Sequence, residues 1–381
     1  MPLMQSPPAP ETVIDGQRYL YFAGTAYLGL QGHPEVVRAA CRAAEQYGVG
    51  SATSRAGFGD TPPVVEVERL AAELLGAESA FYFPSGYVGN HVLVEAVREQ
   101  VGAVFVDEAS HYCVHEAARL SGRPVWQFAH ARPEDLRLKL DARLPAGASP
   151  LVLTDGVFSA RGDVAPLAEY RAVLADYAGS VLTVDDAHGV GVLGERGRGT
   201  FEHAGLFDVG VNTAAVLGGP AGRPPALLCC ATLSKALGGY GGIIPGEAAL
   251  VERLKSAAPH YAGMSPPPPP VAAASARALQ LVLDRPDLLK RLRRNVAALK
   301  GGLRERGFDV APTPVPIVAL ELGDAANMQR IQRTLMDRGI VISYFRAYSG
   351  LGPQGALRIA LFATHTEAMI ERLLDALAGV A

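Results

Sequence analysis

Short apolar runs bounded by turn-forming residues alternate with stretches whose apolar positions recur three and four apart through the first two-thirds of the chain. That order predicts βαβ units around a mostly parallel sheet. His33-Pro34 opens a helix with proline at its first position. Val67, Leu70, Ala71 and Leu74 keep helical spacing, and Gly76 can close that helix. Ala80–Phe83 reads as a short buried strand, and Ser85-Gly86-Tyr87-Val88 as the turn into a helix through Asn90, Leu93 and Val97. Three further runs, Ala103–Asp107, Leu151–Asp155 and Val181–Asp185, read as strands that each end in Asp. Open α/β sheets place their ligands at that end of the strands.

Ser265 followed by Pro266–Pro270 is the clearest break in the pattern. Five prolines predict an extended connector rather than helix interior. A long helix with Leu289, Leu292, Val296, Leu299 and Leu303 on one face follows, then three short strands (317–322, 341–344 and 357–361) with two amphipathic helices. The expected organisation is an N-terminal arm and first helix (1–45), a large domain (46–270) and a smaller α+β C-terminal domain (271–381). Residues 1–16 carry four prolines and neither a basic stretch nor an apolar one, so they read as a loose arm.

A chain of 381 residues, 49% of them hydrophobic, has material for such a core. The net charge of -3 gives no electrostatic reason to expect nucleic acid or an anionic membrane. Every apolar stretch is broken by Gly, Pro or a charge well short of a bilayer span. Cys41, Cys113, Cys229 and Cys230 have neither zinc nor disulfide spacing, so reduced thiols in a cytoplasmic enzyme without a metal are expected.

The chemistry centres on Lys235, in Ala231-Thr232-Leu233-Ser234-Lys235-Ala236-Leu237-Gly238-Gly239, fifty residues after Asp185 of Val184-Asp185-Asp186-Ala187-His188-Gly189. A lysine able to form a Schiff base, with a strand-end aspartate, is the minimal equipment for pyridoxal 5′-phosphate (PLP). The lysine links the aldehyde, and the carboxylate keeps the pyridine nitrogen protonated.

These segments, with Tyr27-Leu28-Gly29-Leu30, Asp155-Gly156-Val157-Phe158-Ser159 and Leu357-Arg358-Ile359, resemble the α-oxoamine synthases, a branch of the fold-type I PLP enzymes, from about Tyr19 onward. The resemblance implies a fold-type I α/β transferase that works as a homodimer. It also implies roles: Ser85, Gly86, Tyr87 and Thr232 at the phosphate, and His111 stacked on the pyridine. Ser159 and His188 would lie near the 3′ oxygen, and Arg358, with Arg346, would hold the substrate carboxylate. Lys235, Asp185, His111 and His188 form the catalytic set. The implied reaction is decarboxylative condensation of a small amino acid with an acyl thioester on CoA or an acyl carrier protein, as in 8-amino-7-oxononanoate synthase. The alternatives are aminotransfer or another Cα-bond cleavage on the same fold, and a PLP-fold binding protein without catalysis.

The chain departs from that family at its edges. Thr25-Ala26 stands where the family usually has Asn-Asp, and only Gly50, Ser51 and Arg55 align in the segment that contributes to acyl-CoA acceptance. Tyr261-Ala262-Gly263-Met264-Ser265 replaces a hydroxyl-rich stretch through which the partner subunit reaches the phosphate. The cofactor machinery is complete; the substrate-selecting parts have drifted.

Overall fold

The computed structural model describes residues 2–214, 224–346 and 348–379. The chain opens with a hairpin, β1 (Glu11–Ile14) and β2 (Gln17–Tyr21), then helices α1 (Pro34–Tyr47) and α2 (Pro62–Leu75). Alternating elements follow: β3 (Ser79–Phe83), α3 (Gly89–Val97), β4 (Ala103–Asp107), α4 (Tyr112–Leu120), β5 (Val125–Phe128), α5 (Pro133–Arg143), β6 (Pro150–Asp155), α6 (Leu167–Leu174) and β7 (Val181–Asp185). After the short α7 (Thr200–His203) come β8 (Ala226–Thr232), β9 (Gly242–Gly246), α8 (Ala248–Ala257) and α9 (Pro259–Ala262). The remainder is α10 (Pro269–Asp284), α11 (Asp287–Glu305), β10 (Ile317–Leu320), α12 (Ala325–Asp337), β11 (Ile340–Val341), β12 (Ser343–Phe345), β13 (Ala356–Ala360) and α13 (Glu367–Ala378).

Seven strands form the large sheet in the order β3-β9-β8-β7-β6-β4-β5, with β9 antiparallel to both neighbours. The run from β8 to β5 is parallel throughout, as the pattern predicts. Its strands are apolar on both faces. Val104, Val106, Leu151 and Leu153 pack with residues of α3, α4 and α8, while Phe105, Val152, Leu182 and Val184 pack with α5 and α6. Successive side chains of a strand point to opposite faces, so a strand between two helical layers is apolar at nearly every position, with Thr154 and Thr183 the buried exceptions in β6 and β7. Consequently the polar residues collect at the carboxyl ends.

The second, three-stranded sheet has the order β10-β13-β12 and is antiparallel, with α11, α12 and α13 contributing to its core. Two expectations need correction. The N-terminal arm is not loose: Asp15 (φ 48) and Gly16 (φ 79) make a two-residue hairpin turn, and β2 pairs in parallel with β11. The five-proline run does not stay extended to its end. Pro269 and Pro270 form the first turn of α10, where a missing N–H leaves no bond unmade. This helix, absent from the sequence reading, packs along α1 and α2.

Candidate active site

Asp155 and Asp185 end adjacent parallel strands in direct register, and Asp185 pairs in turn with Cys230 of β8, two residues before Thr232. The parallel alignment therefore delivers two carboxylates and a threonine to one edge of the sheet. There they border a cavity of about 260 Å³. Every residue expected to touch a cofactor lines it: Ser85, Gly86, Tyr87, His111, Ser159, Asp185, His188, Thr232 and Lys235. The third strand-end aspartate does not reach it. Asp107 is buried with His130, the N–H groups of Ala109 and Ala131, and the Tyr170 hydroxyl, so it holds loops together instead.

At one end of the cavity lie Ser85, Gly86, Thr232 and Ser234, all without negative charge. Ser85 caps the turn into α3, accepting the Tyr87 N–H at 3.3 Å. A Cβ on Gly86 would lie 2.8 Å from the Thr232 side chain, so only glycine lets these segments approach so closely. The other end holds Asp185. Its Oδ2 accepts from Asn90 Nδ2 at 2.7 Å and from the Cys113 thiol at 3.4 Å, and its Oδ1 accepts from the Ala187 N–H at 3.1 Å. Asp186, one residue on, turns away into a buried pocket where it accepts from the Thr200 N–H at 2.7 Å and from the Thr200 hydroxyl.

Lys235 lines the same cavity. Burial lowers its pKa, against the opposing pull of Asp185 and Asp155, so its amine deprotonates more readily than a surface lysine. His111 caps α4 with its side chain, and its backbone N–H donates to both oxygens of Asp155 at 3.2 Å. Burial lowers the pKa of His111 and takes that of His188 well down; Asp155 is raised, by burial first and by Asp185 second.

Arg358 sits on β13, the central strand of the small sheet, and is buried. Its Nε donates to the Ser159 carbonyl at 2.8 Å, Nη1 to the Gly24 carbonyl at 3.1 Å and Nη2 to the Tyr27 hydroxyl at 3.2 Å. It lies just behind the cavity wall formed by Ser159. Tyr27 Oη is also 2.8 Å from His188 Nδ1. Because arginine can only donate, we assign the Tyr27 proton to His188 Nδ1, which leaves Nε2 of that imidazole carrying the hydrogen. Neither arginine lines the cavity: Arg358 is buried behind it, and Arg346 is exposed just past β12.

Tyr27, Asn90 and Cys113 are site residues that sequence reasoning missed. Tyr27 stood in a family motif without a role, and Asn90 and Cys113 passed as a helix position and a bland thiol. The only available signal was a polar group in an otherwise apolar stretch, which requires a partner once buried. Arg55 is explained differently from its sequence reading: it is buried in ion pairs with Asp60 and Glu68 and donates to the Tyr82 carbonyl.

The family model for aminotransferase class I and II matches residues 19–377. The chain belongs to that family. Within it, the relatives are α-oxoamine synthases. An 8-amino-7-oxononanoate synthase of Pseudomonas putida is 37% identical over 380 residues, covering 99% of this chain and 92% of the relative. A serine palmitoyltransferase from S. paucimobilis, solved with a PLP–myriocin aldimine, superposes with a TM-score of 0.88 at 28% identity, covering 100% of this chain and 92% of that one. The 8-amino-7-oxononanoate synthase of Francisella tularensis shares the fold, with a TM-score of 0.74 at 23% identity over 95% of this chain and 97% of its own.

The cavity suits PLP by the chemistry of its donors. An uncharged, hydroxyl-bearing group beside a helix start accommodates a phosphate, a fixed carboxylate accommodates a pyridinium, and an amine of lowered pKa lines the same cavity.

Proposed function

We propose that this chain is a PLP-dependent acyltransferase that condenses a small amino acid with an acyl thioester, with loss of CO₂, to give an α-oxoamine, in the manner of 8-amino-7-oxononanoate synthase. The observation that carries the substrate class is Arg358, a buried guanidinium whose partners among the described residues are two carbonyls and a hydroxyl, with no carboxylate. A buried cation without a counter-ion is costly, and an incoming carboxylate supplies what is missing. The reaction type follows from the relatives.

Bound PLP supplies an aldehyde for covalent attachment and a ring that accepts electrons from the substrate Cα. Lys235 is the attachment point and afterwards, its amine free, takes the Cα proton. Asp185, fixed by Asn90 and Cys113, holds a proton at the pyridine nitrogen. Ser85, Gly86, Tyr87 and Thr232 bind the phosphate; His111 covers the ring; Ser159 and His188 orient its 3′ oxygen. Arg358 fixes the amino-acid carboxylate, and Arg346 would join it only by moving inward from its exposed position.

We further propose a homodimer in the cytoplasm. The family builds its site at a two-fold interface, and isologous dimers are the commonest assembly. Among the described residues no helix is long and apolar enough to cross a membrane, and the four cysteines are free. The test is release of free thiol from a panel of acyl-CoA and acyl-carrier-protein thioesters, each offered with a panel of amino acids. Amino-acid-dependent thiol release with CO₂ is expected. Keto-acid formation without thiol would replace this reading with aminotransfer.

A further inference from the structure

A group of aromatic rings adjoins the cavity at His111 and Ser159. Tyr348, from the segment between β12 and β13 of the small sheet, is half-buried and sets its ring centroid 6.2 Å from His111, 5.7 Å from Tyr112 and 5.4 Å from Phe345. Its hydroxyl accepts from Ser159 Oγ at 3.3 Å, and the Ser159 carbonyl is the one that holds Arg358 Nε. Tyr112, at the first position of α4, is half-exposed and stands edge-on to Tyr348 at 66°. Centroid separations of 4.5–7 Å are those of paired aromatic rings.

Ser159 and His111 line the cavity and Tyr348 touches both, with Tyr112 and Phe345 packed against it. Arg358 is held by the same Ser159, so an amino acid whose carboxylate reaches Arg358 comes up against this corner of the site. We propose that Tyr348, buttressed by Tyr112, is the residue that restricts the accepted amino acid to a small side chain. The inference rests on the reading of the preceding section. On this proposal a hydrogen or methyl side chain is accommodated, whereas a branched or aromatic one is held off by the ring.

The experiment titrates the holoenzyme with L-alanine, L-leucine and L-phenylalanine, following cofactor absorbance to obtain Kd. Wild-type protein is expected to respond to alanine and at most weakly to the larger two. Tyr348→Ala and Tyr112→Ala should each tighten leucine or phenylalanine by about tenfold or more, the scale on which hydrophobic pockets discriminate size, with alanine changed less than about threefold. Tyr348→Phe should keep wild-type selectivity, because it retains the ring. Equal weakening of all three amino acids in Tyr348→Phe and Tyr348→Ala would assign the hydroxyl an anchoring role and overturn the inference. So would unaltered selectivity in Tyr348→Ala and Tyr112→Ala together. A wild-type spectrum that no amino acid moves would instead overturn the proposed reaction, and this inference with it.

Discussion

Arg358 gives the sharpest prediction. A guanidinium has five N–H groups in a fixed fork. Three are used internally, one each from Nε, Nη1 and Nη2. Two remain, one on each terminal nitrogen, which is the pattern for a bidentate grip on a carboxylate. At about 1.5–3 kcal/mol for each hydrogen bond to a charged group, the pair contributes on the order of 3–6 kcal/mol. Arg358→Lys keeps the charge but loses the fork, so we expect roughly half of this, a rise of about ten- to a hundredfold in amino-acid Kd. Arg358→Met should raise it further. The acyl-thioester KM should move far less. The control is Arg55→Lys: Arg55 is also buried, but its partners Asp60, Glu68 and the Tyr82 carbonyl are all internal. It should lower Tm without changing amino-acid Kd. If Arg358→Lys behaved like Arg55→Lys, losing stability alone, the substrate-anchor argument would be refuted.

Reduction of the holoenzyme with borohydride, followed by peptide mapping, should place the pyridoxyl group on Lys235; a label on any other lysine contradicts the site. Asp185→Asn should lose far more activity than Asp186→Asn, since Asp185 lines the cavity while Asp186 is committed to Thr200; equal losses would show that the wrong carboxylate was chosen. His130 bridges Asp107 and Asp163, and although burial opposes it, these partners push its pKa up to about 9. A pKa raised above the unfolded value of about 6.5 means stability fully present below that pH and lost as pH rises toward 9, on the order of 3 kcal/mol; His130→Gln should flatten Tm across that window. Sedimentation should give a dimer, and a monomer with full PLP occupancy would argue against cross-subunit construction of the site.

The cofactor half of the site was legible because its chemistry sits in short contiguous segments. Asp185 and His188 lie three residues apart, Thr232 and Lys235 likewise, and Ser85-Gly86 opens a helix. The residues that tune these groups come from far away and carry no local mark. Asn90 meets Asp185 across 95 positions, and Tyr27 meets Arg358 across 331. Only packing brings them together. The hairpin at Asp15-Gly16 was different: its turn dipeptide was visible, but the surrounding prolines drew the reading toward a loose arm. Likewise Pro269 and Pro270 argued against a helix, although the first helical turn is where proline fits without loss. Arg346 carried a family role by position alone, and exposure separates it from Arg358.

The protonation states of the two histidines bear on why Asp185 governs the chemistry. Burial lowers the pKa of both imidazoles, and Lys235 and Arg358 add to the effect at His188. Both rings are therefore neutral in the working pH range. If His111 covers the cofactor ring as proposed, an imidazolium there would oppose protonation of the ring nitrogen, since like charges in a poorly screened cavity raise each other's cost. A neutral imidazole would cover the face without that penalty. The same holds at His188, where the Tyr27 proton on Nδ1 leaves a neutral N–H at Nε2 rather than a second cation near Lys235. Asp155 is shifted upward by burial first and by Asp185 second. Asp185 is fixed by three donors, and replacing it is expected to remove the electron sink while leaving the binding groups in place.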